Sequence, residues 1–148
     1  MTEMVSVFDD LITAARAGDW GRVDSELVPK LRNVDNNDMA ARLLGRINDP
    51  NPDIRDVIAT SLTVLDITDR AVFEKAVETM IGMAIKDEEK FPAGRAAMFL
   101  WSHRDDEILR EKVQEGINQF KRREEIAPWK NELVKNIPGI SELFETTQ

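Results

Sequence analysis

The residues of this chain that are best suited to chemistry gather around its one histidine. His103 follows Trp101 and Ser102 and precedes Arg104, Asp105 and Asp106. An imidazole beside carboxylates is raw material for general acid–base work or for a metal ligand set. Here the groups are consecutive at a helix junction, and no second cluster accompanies them. The arrangement reads better as a histidine at a helix C-terminus, where the dipole favours it. Three acidic runs, Asp9-Asp10, Asp87-Glu88-Glu89 and Glu124-Glu125, offer oxygens to a cation. None has the alternating ligands and central glycine of a calcium loop, and solvated helix ends explain them. The chain has no cysteine, which excludes thiolate zinc sites, disulfides and cysteine nucleophiles. A single histidine excludes any site needing two imidazoles from one chain. There is no Walker loop, dinucleotide fingerprint or nucleophile elbow. The expectation is a non-enzyme with no catalytic residue, no metal site and no cofactor.

Composition sets the elements that such residues must sit on. At 148 residues with 42% apolar and 32% charged side chains, the length fits one domain, 1–148, with enough core to fold without staples. Net charge is −8 and unevenly spread: 12 bases face 18 acids over 1–103, and 8 face 8 over 104–135. An acidic surface repels phosphate backbones, so a nucleic-acid partner is disfavoured. A local basic patch is most plausible around Lys121, Arg122 and Arg123. The N-terminus carries acids where a secretory signal carries bases, and no window approaches a membrane span. A cytoplasmic location with no membrane role is the default expectation.

Nearly every segment shows apolar residues three and four apart, the helical period. Met4, Phe8, Leu11, Ile12 and Ala15 share one face. Gly18 and Asp19 stop that helix and cap the next, which Pro29 should kink or end. Asn33 to Asp38 form a polar turn before a short helix bearing Met39, Leu43 and Leu44. Asn51 then suits an N-cap and Pro52 the first helical position. Ile54, Ile58, Leu62 and Leu65 line the helix that follows. Another helix carries Phe73, Val77, Met80 and Ala84. The next contains Ala96 to Trp101, apolar around its whole circumference and so expected at the centre of the core. Asp105 and Asp106 are candidate caps for a helix with Val113, Ile117 and Phe120. Two short helices, near 129–136 and 141–145, flank a Pro138-Gly139 turn. No strand alternation appears. The expectation is all-α: roughly seven main helices plus short C-terminal ones, with short connections forcing antiparallel neighbours.

Two of the expected helix pairs resemble each other, 38–66 and 70–103. In the first, Asp49 and Pro50 precede Ile54 and Arg55 across the turn; in the second, Asp87 precedes Arg95. The offsets are 38 and 40 residues, and a two-helix period near forty is the mark of HEAT and armadillo arrays. Leu43, Leu44, Asp49, Pro50, Ile54, Arg55, Ala59 and Leu62 resemble a HEAT repeat of the divergent prokaryotic kind. The second pair departs from the pattern at Gly94, where a β-branched residue is expected, and its turn is longer. A competing register places the repeat turn at Asp105 to Arg110. Residues 1–34 and 105–148 pair helices without the motif.

The resemblance implies a short α–α superhelix of stacked hairpins. Asp49, Pro50, Pro52, Arg55, Asp87 and Arg95 would be turn residues. The Asp would accept N–H groups at the second helix start, and the Arg would pair with an Asp of a neighbouring turn. Second helices would line the concave face, placing Asp56, Thr60 and Thr63 toward solvent as partner-binding residues. Trp129, beside Pro128 among charges, is a further candidate anchor, with packing of the last helices against the body as the favoured reading. The function so implied is a protein-interaction or scaffold module for another protein or a peptide. Two alternatives rest on fold analogy alone: a nucleic-acid-associated helical protein, and an enzyme-assembly factor like the HEAT-like phycobilin lyases. The stretch Val134 to Ile140 faintly resembles the hairpin of helix-hairpin-helix modules, but Ser141 and Glu142 stand where glycine and a base are usual.

Overall fold

In a computed structural model describing residues 2–146, every regular element is helical, and no strand occurs among the described residues. By internal contacts the chain divides into two compact units, 1–76 and 77–148.

The first unit opens with α1 (Thr2–Arg16). Its apolar stripe is inside, with Leu11 and Ala15 fully buried and Met4, Phe8 and Ile12 nearly so. The helix ends where expected. Gly18 takes φ 73°, its N–H reaches Ala15 O at 3.0 Å, and the Asp19 N–H reaches Ala14 O at 2.8 Å. That pair of bonds closes a Schellman cap, which needs a residue tolerant of the left-handed region. Asp19 then accepts the Arg22 N–H at the start of α2 (Trp20–Arg22).

Helical conformation continues through a π segment, Val23–Leu27, into α3 (Val28–Lys30) and a final 3₁₀ turn, Leu31–Asn33. Pro29 explains the irregularity. It has no N–H to donate, and its ring clashes with a carbonyl four residues back in a regular helix. The wider turn accommodates this: the Val28 N–H bonds to Val23 O, five residues back. The kink expected at Pro29 is thus a π-bulge just before it.

α4 (Asn36–Leu44) starts on Asp35, whose carboxylate accepts the Asp38 N–H. α5 (Pro52–Val64) starts as the sequence predicts, with Asn51 accepting the Asp53 N–H and Pro52 at the first position. α1 packs against both, and α4 against α5.

The boundary of the second unit falls inside α6 (Arg70–Lys86), whose start is capped by Asp69 on the Val72 N–H. α7 (Lys90–Ser102) is the core of that unit, as its all-round apolarity predicts: Ala96, Ala97, Phe99 and Leu100 are fully buried. Around it pack α8 (Arg110–Lys121), α9 (Ile126–Asn136) and α10 (Ile140–Glu145). α8 starts several residues later than Asp105 and Asp106 suggest. Asp106 accepts the Leu109 N–H instead, closing a turn rather than a helix.

Gly94, where the sequence comparison of the two helix pairs expects a β-branched residue, has no room for one. A Cβ there would lie 2.7 Å from Leu133 Cδ2 and 2.9 Å from Ile137 Cδ1. Both of those side chains are buried, so neither has open space to retreat into. The glycine is what lets α9 and the 137–140 turn sit against α7. Gly94→Val is expected to lower unfolding free energy by about 1–3 kcal/mol through overpacking. Gly82→Ala, whose Cβ meets nothing within 4 Å, should raise it by about 0.5–1 kcal/mol through helix propensity. Urea unfolding of the two variants checks both signs.

Candidate functional site

The turn between α4 and α5 gathers the first set of expected residues. Arg46 reaches Asp49 Oδ2 at 2.8 Å, and the Asn51 N–H reaches Asp49 Oδ1 at 2.9 Å. The Arg46 hydrogen bond, then the Asn51 N–H, hold the Asp49 carboxyl below its ordinary pKa against the opposing effect of burial. Arg55 turns its guanidinium back on its own turn, donating to Asp49 O at 2.9 Å and Pro50 O at 3.1 Å. Asp49, Pro50, Pro52 and Arg55 therefore form one interlocked corner. The expected Asp contact to the second helix start is made; the Arg reaches backbone carbonyls of this same turn.

The other end of the α4–α5 hairpin is held by residues the sequence shows only as a polar turn. Asn36 donates to Leu31 O and Val34 O and accepts the Asp66 N–H at 2.7 Å. Asn37 donates to Thr68 Oγ1 and accepts from the Thr68 and Asp69 N–H groups, both at 3.0 Å. Two adjacent amides thus clamp the whole 66–69 loop. An amide side chain carries both donors and acceptors, so it can bridge unlike backbone groups where a carboxylate cannot.

The second turn repeats the first in part. Asp87 Oδ1 accepts the Glu89 N–H, two residues on, as Asp49 does with Asn51. Its backbone carbonyl is taken by Arg123, from the junction of α8 and α9. Arg123 donates to Asp87 O at 2.8 Å and to Ala84 O at 2.9 Å. It also pairs with Glu125, and it lies 4.7 Å over the Trp129 ring. The expected turn arginine, Arg95, is half-buried within α7. Nothing in local sequence spacing marks Arg123, which looks like one more base in a solvated charge run.

The proposed basic patch is otherwise occupied. Lys121 donates to Thr146 O at 2.6 Å, Arg122 pairs with Glu115, and Arg123 is spent on the α6 terminus. Burial, then the nearby Lys130 charge, holds Lys121 below its ordinary pKa. The Pro138-Gly139 turn points its flanking Ile137 and Ile140 into the core.

On α5 the solvent-facing expectation is corrected at one residue. Asp56 is buried, 6% exposed, and accepts the Thr60 hydroxyl at 3.2 Å. α1 and α4 both pack on α5, so its outward strip is narrower than a free helix face. Thr60 and Thr63 are half-buried, with Thr63 donating to Ala59 O. Val64, beside them, is 52% exposed. Trp129 is half-buried beneath Arg123.

His103 closes α7, its ring 4.6 Å from that of Phe99. Burial lowers its pKa from 6.5, opposed by the Asp106 charge. Next to it opens a concavity of about 570 Å³, floored by Trp101 and rimmed by Arg104, Asp105, Arg110, Glu111 and Gln114. Arg104 stacks 4.0 Å over the indole ring and donates to Trp101 O at 2.8 Å. Among the described residues no group of three or more histidines or acids is placed to hold a metal ion. No described helix is long and apolar enough to cross a membrane.

The chain matches no protein-family model, and neither curated proteins nor solved structures give a match. What the fold and site define is therefore the class: an all-helical chain with a charged, tryptophan-floored hollow in its second unit.

His103 generates a pH prediction. Its pKa is lower in the folded form than in the unfolded chain, so as pH falls below 6.5 the unfolded chain binds the proton first. Stability is complete above that value and declines below it. His103→Gln should flatten the fall of unfolding free energy between about pH 6.5 and 5, above the ordinary carboxylate range. An identical slope in both proteins contradicts the burial argument.

Proposed function

We propose that the chain is a non-catalytic protein-interaction module built on HEAT-like helical hairpins, and that it binds a peptide segment of another protein. The hollow beside α7 carries this reading. Small-molecule sites are enclosed and mostly apolar, with few polar groups. This one is open and rimmed by four charged side chains around one indole. Arginine is among the side chains most enriched where proteins grip each other, and Arg104 and Arg110 both line the hollow. The shared Asp geometry of the turns at Asp49 and Asp87 supports a repeat relation between the two hairpins. Gly94 and Arg123 account for where the second pair differs. On the first unit, Thr60, Thr63 and Val64 offer a second contact strip on α5.

A protein partner is favoured over nucleic acid by two observations. Net charge is −8, and Lys121, Arg122 and Arg123 all make bonds within the chain. Selection of a displayed library of short random peptides against the full chain tests the reading. Recovery of a convergent set that binds in solution is expected. Failure to enrich any sequence, with duplex DNA bound at low salt, would replace it with the nucleic-acid alternative.

A further inference from the structure

We propose that the hollow floored by Trp101 is a carboxylate-binding site, and that its occupant is an acidic side chain flanked by a base on the partner's peptide segment. This rests on the interaction reading and names the chemistry recognised.

The argument begins with Arg104. Its guanidinium lies over the Trp101 ring, Cζ 4.0 Å from the ring centroid, and one terminal N–H donates to Trp101 O at 2.8 Å. Trp101 itself is a core residue of α7, only 8% exposed. The platform is therefore rigid, and the arginine on it has already lost much of its rotamer freedom. A stacked guanidinium keeps its in-plane N–H fork available, and that fork matches the two oxygens of a carboxylate. Other arginines have acidic partners: Arg22 with Asp10 and Glu26, Arg46 with Asp49, Arg122 with Glu115. Arg104 and Arg110 face the same hollow, and neither pairs with a carboxylate among the described residues.

The rest of the rim selects among anions. Asp105 and Glu111 share the hollow with the two arginines, so its formal charge sums to zero. A phosphate would bring about two negative charges against those carboxylates, which disfavours it. A single carboxylate beside an ammonium or guanidinium meets both signs at once. Mixed charge of this kind contributes specificity and register more than raw affinity. A peptide segment with adjacent acidic and basic side chains supplies that pattern.

Peptides selected on the full chain provide the probe. They are expected to carry Glu or Asp next to Lys or Arg. Replacing the acid with its amide should weaken binding to the native chain about tenfold or more, as loss of a charge-assisted pair does. On Arg104→Ala the same replacement should change binding little. Arg104→Lys keeps the charge but loses the fork and should rescue only part of the affinity. Arg110→Ala alters an exposed side chain and leaves folding intact, so its expected weakening is free of stability effects; Arg32→Ala, remote in the sequence and exposed, should bind as the native chain does. Selected peptides that bind Arg104→Ala and Arg110→Ala undiminished, or show no preference for an acid, overturn this inference while the interaction reading stands. Enrichment of no peptide at all overturns both.

Discussion

Helix ends are the constraint on which the rest of this structure depends. Each end of a helix leaves backbone N–H or C=O groups without partners in the helix. A chain built of many short helices multiplies such ends, and one without cysteine has no disulfide to tie them together. Charged side chains share this work with the amides of Asn36, Asn37 and Asn51. Asp19, Asp35, Asp49, Asp69, Asp87 and Asp106 accept N–H groups at helix starts and turns. Arg55, Arg104 and Arg123 donate to carbonyls. The acidic excess of the sequence is thus partly a consequence of architecture, with carboxylates stationed where free N–H groups cluster.

Arg123 is the strongest case. It is 9% exposed at its side chain, reaches two carbonyls near the end of α6, holds Glu125 against itself and covers Trp129. A guanidinium satisfies several acceptors in one plane, which an ammonium cannot do from one position. Glu125 is held below its ordinary pKa, first by its hydrogen bond to Arg123. Trp129, which by type and setting suggests a partner anchor, packs on this arginine within its own unit.

Legibility in the sequence follows from the range of each interaction. Caps act over two or three residues, so Gly18, Asp19, Asn51 and Pro52 announce themselves and the helices begin and end close to where they predict. Period is equally local, and the buried circumference of α7 could be read from Ala96 to Trp101. Long-range contacts leave no such trace. Gly94 looks like a flaw in a repeat until Leu133 and Ile137 are seen against it. Asn36 and Asn37 look like turn filler until the 66–69 loop is seen between their amides. Asp56 falls at an outward position by spacing, yet α5 has neighbours on enough sides to bury it. The hollow beside α7 needs Trp101 and Arg104 to stack and α8 to begin late, which only the folded chain displays.

The account's central claim is that arginine donors at helix ends hold each unit together, with Arg123 foremost. Urea unfolding of Arg123→Met against Arg122→Met tests it most directly, since methionine keeps apolar bulk and removes every donor. Arg122 is an exposed neighbour with a surface partner, so its replacement should change stability by no more than about 0.5 kcal/mol. Arg123→Met should lower it by about 2 kcal/mol or more, the loss of charge-assisted bonds to Ala84 O and Asp87 O. Equal stability of the two variants would contradict the claim.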